Sequence, residues 1–202
     1  MKKLVLKAMA LTVILFGTTQ TNLNAQVVEE GTAIFDVYYG FPNLYTTVLK
    51  SAYSNEPSVS VSGSGPIGVR GEYMLTDKIG FGLDINYTNT IAKWTDIVNS
   101  TSYNYEVSVP RFRAMGKFNF HFAQSDVFDA YTAVGAGYSS WKVNVTTNDP
   151  TYVDDTSLST PIPIAFRLAL GGRYFVTDNI GLGLEFGLGG GALIHGGLAI
   201  KL

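Results

Sequence analysis

The sequence predicts an all-β protein, a closed antiparallel transmembrane β-barrel of eight strands. Three observations carry this. Hydrophobic residues make up 46% of the 202-residue chain, yet no apolar run after Phe16 is long enough to cross a bilayer as a helix, which takes about 20 residues. The apolar residues alternate with small, polar or charged ones, at the period of two that marks a strand. Short turns and long connections follow each other along the chain, so that short turns gather at one end of the strands and long loops at the other.

Residues 1–25 are expected to be a signal peptide and 26–202 a single barrel domain. Met1-Lys2-Lys3 is a charged start, Leu4 to Phe16 is mostly apolar, and Thr18 to Ala25 turns polar and ends in a small residue before Gln26, which is the anatomy of a secretory signal. The apolar stretch is interrupted by Lys7 and Thr12 and is too short to span. Cleavage after Ala25 fits best, although Leu23 matches the small-x-small preference poorly. The remaining 177 residues make one domain. They carry 11 Lys and Arg against 16 Asp and Glu, a formal charge of −5. That balance argues against nucleic acid as a partner, which calls for a basic face. Cysteine is absent, so an exported chain must close its structure without disulfides.

The strands are expected at 31–40, 64–75, 79–91, 103–122, 127–145, 160–176, 180–189 and 192–202. The second and third are tied by a unit that recurs: Tyr73-Met-Leu-Thr-Asp-Lys-Ile-Gly-Phe-Gly-Leu-Asp84 matches Tyr174-Phe-Val-Thr-Asp-Asn-Ile-Gly-Leu-Gly-Leu-Glu185 at an offset of 101 residues. Each copy reads as strand, Thr-Asp turn and next strand. A weaker copy surrounds Ser125-Asp126, between the fourth and fifth strands. Asp and Asn suit such turns because their side chains hydrogen-bond nearby backbone. On the fourth strand Phe112, Ala114, Gly116, Phe118, Phe120 and Phe122 share one face, and Arg111, Arg113, Met115, Lys117, Asn119 and His121 the other. On the sixth, Ile162, Ile164, Phe166, Leu168, Leu170 and Tyr174 oppose Arg167, Gly171 and Arg173. The seventh sets Ile180, Leu182, Leu184, Phe186 and Leu188 against Gly181, Gly183, Glu185 and Gly187. The last sets Ala192, Ile194, Gly196, Leu198, Ile200 and Leu202 against Leu193, His195, Gly197, Ala199 and Lys201.

The turns act as mileposts. Gln26 to Asp77, Asp77 to Asp126 and Asp126 to Asp178 span 51, 49 and 52 residues, and Asp178 to Leu202 only 24. With strands of about 9–11 residues, the first three intervals each leave roughly 25–30 for a connection. Loops are accordingly expected at Phe41 to Gly63, Ala92 to Ser102 and Thr146 to Ser159, with a tight last connection near Gly189-Gly190-Gly191. The segments 103–122 and 127–145 are long enough to continue past a bilayer as a ribbon.

Alternation alone leaves open whether the charged face points in or out; a water-soluble β-sandwich would reverse the two faces. The signal segment, the glycines and the chain's end favour the membrane barrel. Acids Asp36, Glu72, Asp84, Asp129 and Glu185 then share the interior with bases Arg70, Arg111, Arg113, Lys117, Arg167, Arg173 and Lys201, as a narrow barrel filled by side chains requires. Aromatics fall in two belts, Tyr73, Phe122, Phe128 and Tyr174 beside the short turns and Tyr39, Tyr87, Tyr105, Tyr138 and Trp141 toward the loops.

The Thr-Asp-x-Ile-Gly-x-Gly-Leu units and the terminal Gly-Gly-Leu-Ala-Ile-Lys-Leu202 resemble the small bacterial outer-membrane β-barrel family, typified by the OmpA transmembrane domain and OmpX, over nearly all of 26–202. The resemblance implies short periplasmic turns, longer extracellular loops, outer-membrane lipid as surroundings, and a C-terminal strand read by the barrel-assembly machinery. Leu202 departs from the family's usual terminal Phe. Activity does not follow from this fold.

No catalytic, cofactor-binding or metal site is expected. His121 and His195 fall on the inward face, where packed polar interior residues are the better reading than an acid–base site, because no nucleophile and orienting group can be placed beside them. Asp149, Asp154 and Asp155 in the third loop read as solvated, since calcium takes 6–8 converging oxygens. The expected role is structural or surface-interacting, with possible extracellular ligands met through the loops. A narrow porin-like channel and a lipid-modifying enzyme are the alternatives.

Overall fold

The computed structural model describes residues 26–153 and 159–202; the expected signal peptide, and Asp154 and Asp155 of the third loop, lie outside the described residues. In chain order the elements are β1 (Ala33–Asn43), α1 (Leu44–Ala52), β2 (Ser60–Gly63), β3 (Ile67–Thr76), β4 (Ile79–Val98), β5 (Thr101–Gln124), β6 (Phe128–Trp141), β7 (Asn144–Thr147), β8 (Ile164–Phe175), β9 (Ile180–Gly189) and β10 (Ala192–Lys201). Eight of the strands pair antiparallel in the order β1-β3-β4-β5-β6-β8-β9-β10, and β10 returns to β1 from Ile34 with Lys201 to Asn43 with Ala192. The sheet therefore has no open edge where it crosses a bilayer, and every backbone polar group there can pair within it. Among the described residues no helix is long and apolar enough to cross a membrane.

Which face points outward is plain from burial. Along β8, Ile164, Phe166 and Leu168 are 69%, 63% and 57% exposed, whereas Arg167 and Arg173 are each 1%. A water-soluble barrel would show the opposite; an apolar outer face around a charged interior is the inversion found in transmembrane barrels. The belts hold for Tyr39, Tyr87 and Tyr138 at the loop end and for Tyr73, Phe122, Phe128 and Tyr174 at the turn end, all of them exposed. Tyr105 and Trp141 are not part of a belt. Tyr105 lies in a ribbon beyond the barrel, and Trp141 is half-buried where β6 ends, its backbone N–H donating to Thr160 Oγ1.

The short turns are built by hydroxyls, not by Asp or Asn as the sequence suggested. Thr76 Oγ1 accepts from the N–H groups of Lys78 and Ile79, Thr177 Oγ1 from those of Asn179 and Ile180, and Ser125 Oγ from those of Val127 and Phe128. A hydroxyl at the first turn position reaches the N–H groups two and three residues on. Asp77 instead accepts from Glu30 N–H and ties down the chain before β1.

At the other end several expectations are corrected. The span Ala92 to Ser102 is not a loop: β4 and β5 continue to a two-residue turn at Asn99 and Ser100, both left-handed with φ of 52° and 66°, the geometry that matches strand twist in a hairpin. The span Phe41 to Gly63 holds α1 and β2. Asn43 caps the helix, its Oδ1 accepting from Tyr45 and Thr46 N–H, and Lys50 sits in the last turn. The expected strand 127–145 breaks at Trp141 and resumes as β7, while β8 starts only at Ile164 because Pro161 and Pro163 lack an N–H to donate. In β10 the faces also start late. Ala192 is fully buried and Leu193 40% exposed, because Gly189, Gly190 and Gly191 all adopt positive φ and Arg167 Nη1 pins the carbonyls of Gly189 and Ala192.

Both barrel mouths are covered. At the turn end Val27 and Val28 pack with Ile34, Met74, Phe175 and Ala199, and Lys201 Nζ donates to Val27 O. At the loop end α1 lies over the opening, with Thr46 Oγ1 3.0 Å from Thr90 Oγ1.

Candidate functional site

Alternate residues of eight strands converge in the lumen, and what they bring is charge. Asp36, Glu72, Asp84, Asp129 and Glu185 are all buried. Arg173 reaches Asp36 (2.9 Å), Glu72 (2.7 Å) and Asp129 (3.3 Å). Arg70 pairs with Asp84 and Glu185, both at 3.0 Å, and Glu185 also meets Lys117 Nζ at 2.7 Å and Arg167 Nε. His121 has Asp129 2.7 Å from Nδ1 and Glu72 2.9 Å from Nε2, a carboxylate at each ring nitrogen. Tyrosines bridge the ions: Tyr38 OH donates to Asp84, and Tyr131 OH to Glu185. Inward glycines leave the room for this. A side chain at Gly171 would enter the Tyr131 ring, and one at Gly68 the Tyr38 ring. The void beside Asp36, Tyr38, Arg70, Tyr131, Glu185 and His195 is only about 10 Å³, room for about one water.

Beyond the barrel, β2 pairs with the outer part of β4 and β7 with the outer part of β5, giving a four-stranded sheet in the order β2-β4-β5-β7. Its register places Val61, Ala92, Val107 and Val145 in one row on the face continuous with the lumen. One step further out, Trp94 stacks on Tyr105 with ring centres 5.3 Å apart and planes 8° apart. The Tyr105 hydroxyl donates to Asp149 Oδ2 at 2.7 Å, and Asp149 Oδ1 accepts from Thr151 N–H and Oγ1 at 2.8 and 2.7 Å. Hydrogen bonds from Thr151 and Tyr105 hold the Asp149 carboxyl below its ordinary range, and the same bond to Asp149 raises the Tyr105 phenol. The opposite face is polar, with Lys93 Nζ 2.7 Å from Glu106 Oε2.

A family model described as outer membrane protein beta-barrel domain matches residues 12–193. The chain belongs to that family. As an outer membrane protein β-barrel it resides in the bacterial outer membrane. The chain is similar to the N-terminal β-barrel domain of Pseudomonas aeruginosa OprF, at 12% identity and a TM-score of 0.44, over 86% of this chain and 99% of that one. It is similar to OprG of the same organism at 10% identity and 0.43, over 89% and 99%. It is also similar to Ail, the attachment invasion locus protein of Yersinia pestis, at 10% identity and 0.34, over 85% and 95%. No curated protein matches the chain.

Within this outer membrane barrel the two histidines have different surroundings. His121 is held by two carboxylates near the turn end. His195 stacks on Tyr38 at 4.4 Å, and neither of its ring nitrogens has a hydrogen-bond partner. Among the described residues no hydroxyl nucleophile is hydrogen-bonded to either ring, and no three His, Asp or Glu side chains converge as a metal site. Of the bases assigned to the interior, Lys201 sits at the rim and Arg111 is half-buried, its guanidinium 3.5 Å over the Tyr45 ring. Sequence reasoning missed the tyrosines of the lumen. Their signal was parity, since Tyr38 follows Asp36 by two positions and Tyr131 follows Asp129 by two.

Proposed function

We propose that this outer membrane barrel is a non-conducting anchor that presents a rigid four-stranded sheet at the cell surface, where it meets extracellular ligands or envelope partners, and that it is not an enzyme. The filled lumen carries the reading: ion pairs join β1, β3, β4, β5, β6, β8 and β9 across the barrel and leave a void of about 10 Å³. A porin needs an open aqueous path. The sheet supports the second half of the reading, because strand pairing on both flanks of the β4–β5 ribbon makes it a fixed surface rather than a mobile loop. In this account residues 1–25 are removed on export, membrane lipid packs on the outer band, and β10 with Leu202 is the strand offered to the barrel-assembly machinery.

Purified protein in planar bilayers is expected to give no stable conductance steps; stable steps from wild type would overturn the anchor in favour of a channel. A lipid-hydrolysis assay of wild type beside His195→Ala checks the enzymatic alternative, and neither is expected to turn over substrate.

A further inference from the structure

Five lumenal carboxylates are matched by Arg70, Lys117, Arg167, Arg173 and the doubly hydrogen-bonded His121. Arg111 and Arg113 remain. Among the described residues neither forms an ion pair; they lie at the loop-end mouth against Tyr45, whose hydroxyl accepts from Arg113 Nη2 at 3.0 Å. Arg113 is 4% exposed, and its Nη1 is buried with no hydrogen-bond partner. A buried cation without a counter-charge is costly; Arg113 Nη1 lies against Gly191, and Arg111 reaches the cavity at the mouth.

An apolar groove starts at the same place. One cavity of about 390 Å³ runs from Arg111 and Tyr45 between α1 and β5, lined by Val48, Leu49 and Val109. It shares Leu49, Thr90 and Val109 with a second of about 530 Å³ that continues over Ala92 and Val107 to Trp94. From Arg111 to Tyr105 along β5 is about 20 Å at the rise of a strand. Volumes of about 300–1,000 Å³ are those of small-molecule sites, and barrel mouths are a common place for them. Val48 on α1 and Tyr53 at its C-terminal cap are 67% and 43% exposed. The acids of the groove, Glu56 and Asp96, lie along its outer part, away from the two arginines.

We propose that the barrel mouth and the inner face of the surface sheet form one binding site for a single-chain anionic amphiphile, with its acidic head on Arg111, beside the unpaired charge of Arg113, and its acyl chain along Leu49, Val109, Val107 and Ala92. The proposal deepens the surface-interaction reading and rests on its placing the sheet outside the bilayer.

Trp94 at the far end of the groove supplies the test. The chain has two tryptophans, so Trp141→Phe isolates its fluorescence. In phospholipid nanodiscs, ω-bromododecanoate is expected to quench Trp94 saturably. The uncharged ω-bromododecanol should bind about tenfold more weakly, as should the acid to Arg111→Gln, through loss of a charge-assisted contact. Ala92→Phe, which fills the groove, should abolish quenching, with heat-modifiable migration checking that each variant is folded. Absence of saturable quenching, equal binding of acid and alcohol, or quenching that survives both variants would overturn the site while leaving the surface sheet in place. Quenching of Trp94 by nanodiscs of brominated phospholipid alone would instead put the sheet in the membrane and overturn both.

Discussion

Glu185 is the residue on which the lumen turns, since it faces Arg70, Lys117 and Arg167 and accepts from Tyr131 as well. A buried ion pair need not add net stability, because desolvation opposes its Coulomb attraction, but removing one partner leaves the others uncompensated. Glu185→Gln keeps the shape and deletes the charge, so it is expected to cost about 3–5 kcal/mol, read as an earlier loss of the folded, heat-modifiable band in a urea series. A loss under about 1 kcal/mol would mean that water or ions reach the lumen and screen the cluster. That Glu185 and the arginines share one face was legible from alternation, and that this face is the inward one from the signal segment, the glycines and the chain's end. Which acid meets which base was not, because partners such as Asp36 and Arg173 are 137 residues apart and meet only once the barrel closes.

The element that most departs from expectation is the β4–β5 ribbon. Its 20- and 24-residue strands extend roughly 65 and 80 Å at the rise of a strand, far past a hydrocarbon core of about 30 Å. Ala92 to Ser102 read as a loop because above the membrane neither face needs to be uniformly apolar, so Lys93, Thr95 and Asp96 blur the alternation, and Asn99-Ser100 lacks the glycine that usually announces such a turn. The third loop is attached to this ribbon through Tyr105 and Asp149. A carboxyl held low stabilises above its ordinary value near pH 4, and that contribution goes as the pH falls through the lowered one; a raised phenol stabilises below its ordinary value near 10 and is lost as the pH climbs through the raised one. The attachment is thus complete between about pH 4 and 10. Tyr105→Phe should move the Asp149 titration, followed by carboxyl NMR, upward toward the ordinary aspartate value; an unmoved midpoint would show that Thr151 alone holds it.

For the whole molecule the decisive property is where lipid ends and water begins. Leu184 is outward near the middle of β9, and Ile97 is exposed near the tip of the ribbon. Arginine at Leu184 is expected to cost about 2–4 kcal/mol, as charges on the lipid face near the midplane do, whereas arginine at Ile97 should stay within about 0.5 kcal/mol; equal costs in unfolding from lipid vesicles would contradict the proposed boundary. The chain by itself determined the eight spanning strands, their inward and outward faces and the short turns at one end, because a bilayer imposes a period of two and a closed ladder on any sequence that crosses it without helices. Only the tertiary structure decided the cap of α1 over one mouth, the flanking strands that turn loops into a sheet, the pairing of lumenal charges and the two arginines left without acids. Those features come from contacts between residues distant in sequence, and local periodicity holds no record of them.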